Sequence, residues 1–274
     1  MSGPVPRIEA AFRRAQHEGR AAFIPFLTAG DPDVATTRAL VLELARRGAD
    51  LIELGIPFSD PLADGATIQR ASQRALAGGF TLRHGLSLAA ELRRASEVPL
   101  VLMSYANPVL SLGEGPFAAE AAGAGVDGLI VPDLPPEEGG ALRAACGRHG
   151  VAIIGMVAPT TGAARIPLIC RASSGYIYYV ALRGVTGPRQ SLPPDLGEGI
   201  ARVRDATDLP VAVGFGIATA EHVAAVARAA DGVIVGSAIV QAVEAHAGRP
   251  DLVERVGDLV ATLRAATVRG ERVA

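Results

Sequence analysis

Eight short apolar runs, bounded by Gly, Pro or Asp and separated by helical stretches, recur along the whole chain at 21–30, 49–56, 98–105, 126–133, 151–158, 175–182, 209–217 and 231–237. Runs of this length, apolar on both alternating faces, suit strands covered on two sides, so the alternation predicts a parallel sheet built from βαβ units. Eight units fit a closed (β/α)8 TIM barrel better than an open doubly wound sheet. No Ser/Gly linker or charge run divides the sequence, which points to a single domain over 1–274 with its barrel at about 21–247. An extra N-terminal helix is expected over 5–19 and a C-terminal helix over about 251–268. Three segments, ARRGADLIEL, AGAGVDGLIV and ARAADGVIVG, look like copies of one joint in which a helix ends on small residues, turns at Asp and gives way to a strand.

Composition excludes several classes of function. The 274 residues are 49% hydrophobic with a formal charge of -2, leaving no basic surface for nucleic acid. No apolar run reaches the ~18 residues of a membrane span, and the amphipathic N-terminus lacks the apolar stretch of a secretory signal, so a cytoplasmic protein is expected. All 26 basic residues are arginine. Without a lysine amine the chain cannot form a Schiff base or anchor pyridoxal phosphate. His17, His84, His149, His222 and His246 fall in helical segments without metal-ligand spacing, so no metal is expected. Cys146 and Cys170 lack a CxxC pattern and read as buried free thiols. The segment GAGVDG (123–128) matches GxGxxG, but it precedes a strand, the wrong context for a dinucleotide-binding turn.

The second run carries the chemistry. Successive strand side chains alternate faces, so Ile52, Leu54 and Ile56 share the side that meets the helices, and Glu53 points into the barrel near the C-terminal end of its strand. An interior carboxylate is either paired with a cation or used, and the strand cores offer no arginine except Arg183 at the end of the sixth. Desolvation without a cation raises its pKa toward the range useful for proton transfer. Asp64 follows in a loop punctuated by Pro57, Pro61 and Gly65. Alone it reads as a turn residue, but two carboxylates in different environments can divide the roles of acid and base. Across the mouth, GFGI (214–217) ends the seventh strand and GSAIVQAVEAH (236–246) opens a helix directly after the eighth. Glycine backbone and a helix start suit an oxyanion, and this is the fold's recurrent phosphate site. Ser237 can cap that helix or donate to a phosphate, and Gly184, in the long RGVTGPRQ loop, would supply a third edge beneath a closing lid.

FIPFLTAGDPD (23–33), ELGIPFSDPLADG (53–65), YANPV (105–109), VPDLPPEE (131–138), GVTG (184–187), GFGI (214–217) and VGSAIV (235–240) stand in the order and spacing of one family. The chain resembles tryptophan synthase alpha chains from about residue 5 to 268. The resemblance implies a lyase that cleaves indole-3-glycerol phosphate to indole and glyceraldehyde 3-phosphate, with no cofactor. By position Glu53 matches the family's general acid/base and Asp64 the carboxylate that stabilises the indole N–H. Gly184, Gly214, Gly216, Gly236 and Ser237 match phosphate ligands; Phe26, Tyr105, Ile130 and Tyr178 match an indole pocket, although spacing alone favours plain packing for these four. Thr186 is similar to the lid threonine that meets the loop aspartate on closure. The implied partner is a pyridoxal-phosphate beta chain in an alpha2beta2 assembly, docked on loop 57–65 and around Asn107-Pro108.

Leu182 and Arg183 depart from the Ser and polar residues common in relatives, and Met103 and Met156 replace branched aliphatics. A non-catalytic allosteric subunit is the alternative from another class; the presence of both Glu53 and Asp64 argues against it. Indole-glycerol-phosphate synthase, a neighbouring phosphate-binding barrel, would require a catalytic lysine.

Overall fold

The computed structural model describes residues 6–181 and 193–269. It opens with α1 (Pro6–His17), β1 (Ala22–Thr28), α2 (Val34–Arg46) and β2 (Ile52–Gly55), then α3 (Ala66–Ala77), α4 (Leu82–Ala95) and β3 (Leu100–Met103). There follow α5 (Ala106–Leu112), α6 (Glu114–Gly123), β4 (Gly128–Ile130), α7 (Gly140–His149), β5 (Ala152–Ile153), β6 (Gly155–Val157) and α8 (Ile166–Ala172). The last third carries β7 (Ile177–Val180), α9 (Leu196–Arg204), β8 (Val211–Gly214), α10 (Ala220–Ala229), β9 (Gly232–Val235), α11 (Ser237–His246) and α12 (Leu252–Ala265). Each of the eight apolar runs becomes strand.

All strand pairs are parallel, in the order β5-β4-β3-β2-β1-β9-β8-β7-β6. The two outermost strands, β5 and β6, are halves of one run separated by Ile154 alone, so the sheet closes on itself into the (β/α)8 barrel. The first half pairs with β4 and the second with β7. Strand five thus changes partner at Ile154, whose own N–H still donates to the Leu129 carbonyl at 2.9 Å.

Two separate apolar clusters follow from the side-chain alternation. Ile52, Leu54 and Ile56 belong to the outer one, between sheet and helices, with Leu44, Leu88 and Leu102. Leu51, Ile24, Phe26, Val101 and Ile130 belong to the barrel interior. Helix α1 lays Ile8, Ala11, Phe12 and Ala15 into that interior from below, and Phe12 meets Tyr176 with ring centroids 5.5 Å apart. No described helix is long and apolar enough to cross a membrane.

The repeated joint has a physical basis. The Asp50 N–H donates to the Phe23 carbonyl of β1 while its carboxylate accepts the Phe23 N–H at 2.9 Å. Asp127 makes the same two-way contact with Leu100 of β3, and Asp231 with Val211 of β8. Ser174 does so with Ile153 of β5, through its hydroxyl. A side chain one to three residues ahead of every even barrel strand therefore clamps the start of the preceding odd strand, fixing register once per quarter of the barrel. The three aspartates also hold arginines: Arg20 and Arg14 on Asp50, Arg93 and Arg7 on Asp127, Arg204 and Arg269 on Asp231. The Asp50–Arg20 pair is almost wholly buried, whereas about a third of Asp231 is exposed. Asp50→Ala leaves a strand N–H without its acceptor and the buried Arg20 guanidinium with Glu18 as its remaining counter-charge, and is expected to lower unfolding free energy by about 3 kcal/mol. Asp231→Ala is expected to cost roughly half as much or less, measured by urea unfolding of both variants beside the unmodified chain.

Candidate functional site at the C-terminal mouth

Glu53 lies in the middle of β2, in register with Phe26 of β1 and Val101 of β3, and is 1% exposed. Its side chain enters the barrel, as the alternation predicts. Its partner is the Tyr176 hydroxyl, which donates to Oε1 at 2.7 Å. Tyr176 immediately precedes β7, the sixth barrel strand, so this contact spans the barrel from strand six to strand two. Small inward residues, Gly128 paired with Ala152 and Gly232 beside Ala212, leave room for it. No ion pair reaches Glu53 among the described residues. Burial pushes its carboxyl up to about 8, against the opposing hydrogen bond from Tyr176. Sequence reasoning missed Tyr176, because nothing local in SSGYIYY marks a partner 123 residues from Glu53.

Asp64 stands above this carboxyl in the loop between β2 and α3. The loop is folded by its own backbone, with the Asp64 N–H donating to the Pro61 carbonyl at 3.0 Å and Gln69 Nε2 donating to the Asp64 carbonyl at 2.9 Å. Tyr105, just beyond the neighbouring strand β3, anchors it by accepting the Ala63 N–H at 3.0 Å. Phe58 stacks on the Tyr105 ring at 5.2 Å. Burial raises the Asp64 carboxyl to about 6, with the Tyr105 hydroxyl pulling the other way. At neutral pH the two groups therefore occupy different states: Glu53 keeps its proton and Asp64 is an anion.

The four residues expected to line an indole pocket lie inside the barrel. Phe26, Tyr105, Ile130 and Tyr178 are all buried, and Phe26, Ile130 and Tyr178 belong to the interior cluster with Met103. Glycine makes the close approaches: a Cβ at Gly55 would lie 2.4 Å from the Phe26 ring, and one at Gly214 would lie 2.2 Å from the Tyr178 hydroxyl. Burial first, and then the negative charge of Glu53 once ionised at high pH and of Asp64, raises the Tyr178 phenol well above its ordinary value.

On the other side, Gly214 ends β8 and two successive left-handed residues follow, Phe215 at φ 73° and Gly216 at φ 76°. A non-glycine residue in that region is a sparse conformation that clusters at binding sites. Phe215 sets its ring edge-on to Tyr178 at 5.9 Å, and sequence reasoning missed it between its two glycines. Helix α11 starts directly after β9, with Gly236 at its N-cap and no side-chain cap bond. Ser237 is thus the first helical residue, exposed, and not the cap. The first turn carries no acidic residue, so its N–H groups present positive potential to the mouth. Gly184, Thr186, Leu182 and Arg183 lie outside the described residues.

Cys146 and Cys170 are free and buried, and no group of three or more His, Cys, Asp or Glu among the described residues could hold a metal ion. A larger cavity of about 410 Å³ opens between the loop after β4, α7 and α8; it contains neither carboxylate, and its Arg165 is tied to Glu137 at 2.8 Å.

A closed parallel barrel that gathers an interior carboxyl, a loop carboxyl above it and aromatic rings at its C-terminal mouth is the architecture of a barrel enzyme. The family model for the tryptophan synthase alpha chain matches residues 12–268. A tryptophan synthase alpha chain from Citrifermentans bemidjiense is 50% identical over 266 residues, covering 97% of this chain and 99% of its own. Another from Acidiphilium cryptum is 50% identical over 272 residues, covering 97% and 98%. Among solved structures, Mycobacterium tuberculosis tryptophan synthase superposes with a TM-score of 0.88 at 37% identity, covering 96% of this chain and 99% of that one. The alpha chain from Legionella pneumophila gives 0.86 at 38%, covering 95% and 97%. The chain belongs to the tryptophan synthase alpha chain family.

The raised Glu53 carboxyl has a thermodynamic signature. Between about 4.5, its ordinary value, and about 8, the folded chain holds a proton that the unfolded chain releases. Stability from this group is complete below the lower limit and lost as pH rises through the upper one. Glu53→Gln removes the dependence. The variant is expected to gain stability relative to the unmodified chain by a few kcal/mol between pH 5 and pH 9, read from urea midpoints at each pH.

Proposed function

We propose that this chain is the alpha subunit of tryptophan synthase and cleaves indole-3-glycerol phosphate to indole and glyceraldehyde 3-phosphate by a retro-aldol reaction. The observation that carries the residue roles is geometric: Glu53 is buried in the barrel with a phenol and no cation beside it, and Asp64 lines the mouth above with Phe26 and Tyr105. The bond to be broken joins indole C3 to a carbon bearing a hydroxyl. Protonation of C3 turns the ring into a leaving group, and loss of the hydroxyl proton turns the carbon into an aldehyde. Glu53, neutral at pH 7, has the proton to give to C3; the resulting carboxylate accepts the hydroxyl proton as the carbon–carbon bond breaks. It ends as it began, and no external acid or base is consumed. Positive charge spreads to the ring nitrogen in between, and anionic Asp64 stabilises it there. Phe26, Tyr105, Ile130 and Tyr178 enclose the ring and exclude water. The phosphate is received by the N–H groups of Gly214, Gly216, Gly236 and Ser237, with Gly184 and the Thr186 lid completing the site.

The beta chain is the partner, in an alpha2beta2 assembly in the cytoplasm. Loop 57–65 and the first turn of α5 at Asn107-Pro108, which the sequence reading expected in a loop, form its contact. In support, Leu62 is 88% exposed at the tip of that loop and Leu110 50% exposed on α5.

Indole release from indole-3-glycerol phosphate, measured with and without a beta chain, tests the reading. Glu53→Gln is expected to lose about 10³-fold or more in kcat with KM changed less than about threefold. Asp64→Asn is expected to lose roughly 10²-fold. Wild-type turnover by Glu53→Gln would remove Glu53 from the mechanism, and activity abolished by a chelator would point to a metal enzyme instead.

A further inference from the structure

Thr28 ends β1, two residues beyond Phe26 on the same inward face and in register with Gly55 of β2. It is 3% exposed, and its hydroxyl has no hydrogen-bond partner among the described residues. A buried hydroxyl without a partner is costly and rare in a folded chain. The position lies in the layer that faces the mouth, where valine would fill the same space without that cost.

A small cavity explains it. Thr28, Asp64, Ser72 and Tyr105 line a space of about 10 Å³, closed otherwise by Phe26, Gly55, Ile56, Ile68 and Met103. That volume admits one water, and a buried water needs two to four polar partners, which this lining supplies. Ser72 is itself buried on α3, the helix that follows the Asp64 loop. A water here would accept from or donate to the Thr28 hydroxyl on the rigid strand and donate to the carboxylate on the loop, joining barrel to loop.

We propose that this cavity holds one water bridging the Thr28 hydroxyl to the Asp64 carboxylate, and that Thr28 is a positioning residue for Asp64. The inference rests on the reading of Asp64 as the group that stabilises the indole ring nitrogen. Thr28 need not touch substrate: strand β1 fixes its hydroxyl, the water carries that fixed position to the loop, and the carboxylate is aimed before the ring arrives.

The test assays the full chain with a beta chain, comparing Thr28→Val, Thr28→Ala and Thr28→Ser in the unmodified and Asp64→Asn backgrounds. Thr28→Val and Thr28→Ala are expected to lower kcat about tenfold with KM within twofold, and Thr28→Ser to stay within twofold of the unmodified chain. In the Asp64→Asn background the Thr28 substitutions are expected to add no further loss, since both act through one group. Should Thr28→Val fail to fold, the Ala and Ser pair carries the same comparison. The proposal is overturned if removing the hydroxyl leaves kcat within twofold and raises the unfolding midpoint, as loss of an unsatisfied group would. It is overturned equally if the loss persists undiminished in Asp64→Asn, or if Ser fails to restore activity. A fully active Asp64→Asn single variant would instead sink the role assigned to Asp64 itself.

Discussion

A carboxyl group inside a barrel, held by one phenol and no cation, sets the terms for everything around it. Glu53 gains a single 2.7 Å hydrogen bond from Tyr176 and forgoes the solvation of a charged group. The neutral form is therefore favoured, and a group that stays protonated near neutrality can give a proton to a carbon atom that is a poor base. Placing that group costs the barrel a tight apolar layer: small residues at 128, 152, 212 and 232 accommodate the long reach from strand six, and α1 fills the base below with Ile8 and Phe12. The plug beneath and the carboxyl above are parts of one packing solution, because Phe12 rests on the ring whose hydroxyl holds Glu53.

Such a centre needs a scaffold whose strand register cannot slip. A one-residue shift of β2 would send Glu53 into the helical shell and bring Leu54 inward. The four joints resist that shift. Each pins the N-terminal end of an odd strand through a two-way backbone and side-chain contact, at the opposite end of the barrel from the mouth. Stability devices and the site are thus segregated along the barrel axis, and the loops at the mouth are free to carry chemistry without bearing the register.

Much of this was legible in the sequence, for reasons that differ by residue. The orientation of Glu53 followed from period two alone, because Ile52, Leu54 and Ile56 leave only one face for it. The Asp joints were visible as a repeat, but the fourth was hidden because Ser174 performs the task with a hydroxyl where the others use a carboxylate. The change of partner at Ile154 gave no signal, since GMV continues the apolar run of strand five without a break. Tyr176, Phe215 and Thr28 were missed for a common reason: their significance lies in what they face across the barrel, and no spacing along the chain encodes a distance across it.

The absence of lysine acquires a mechanistic sense beside this site. A phosphate is most simply bound by a cation, but a unit positive charge about 9 Å from Glu53 would lower its pKa by roughly one unit at an effective dielectric of ~20. Two such charges would carry it below neutrality and leave the acid largely ionised at pH 7. On the proposed reading the phosphate is met instead by backbone N–H groups after β8 and at the start of α11, whose partial charges are shared over several atoms and fall off within a turn. Among the described residues, Asp50, Asp127 and Asp231 hold arginines at the base of the barrel, and beside the C-terminal end of β1 the charge of Arg74 is met by Asp31 and Glu244. On that reading, the N–H groups would meet the phosphate without setting beside Glu53 the full positive charge that would disarm its acid.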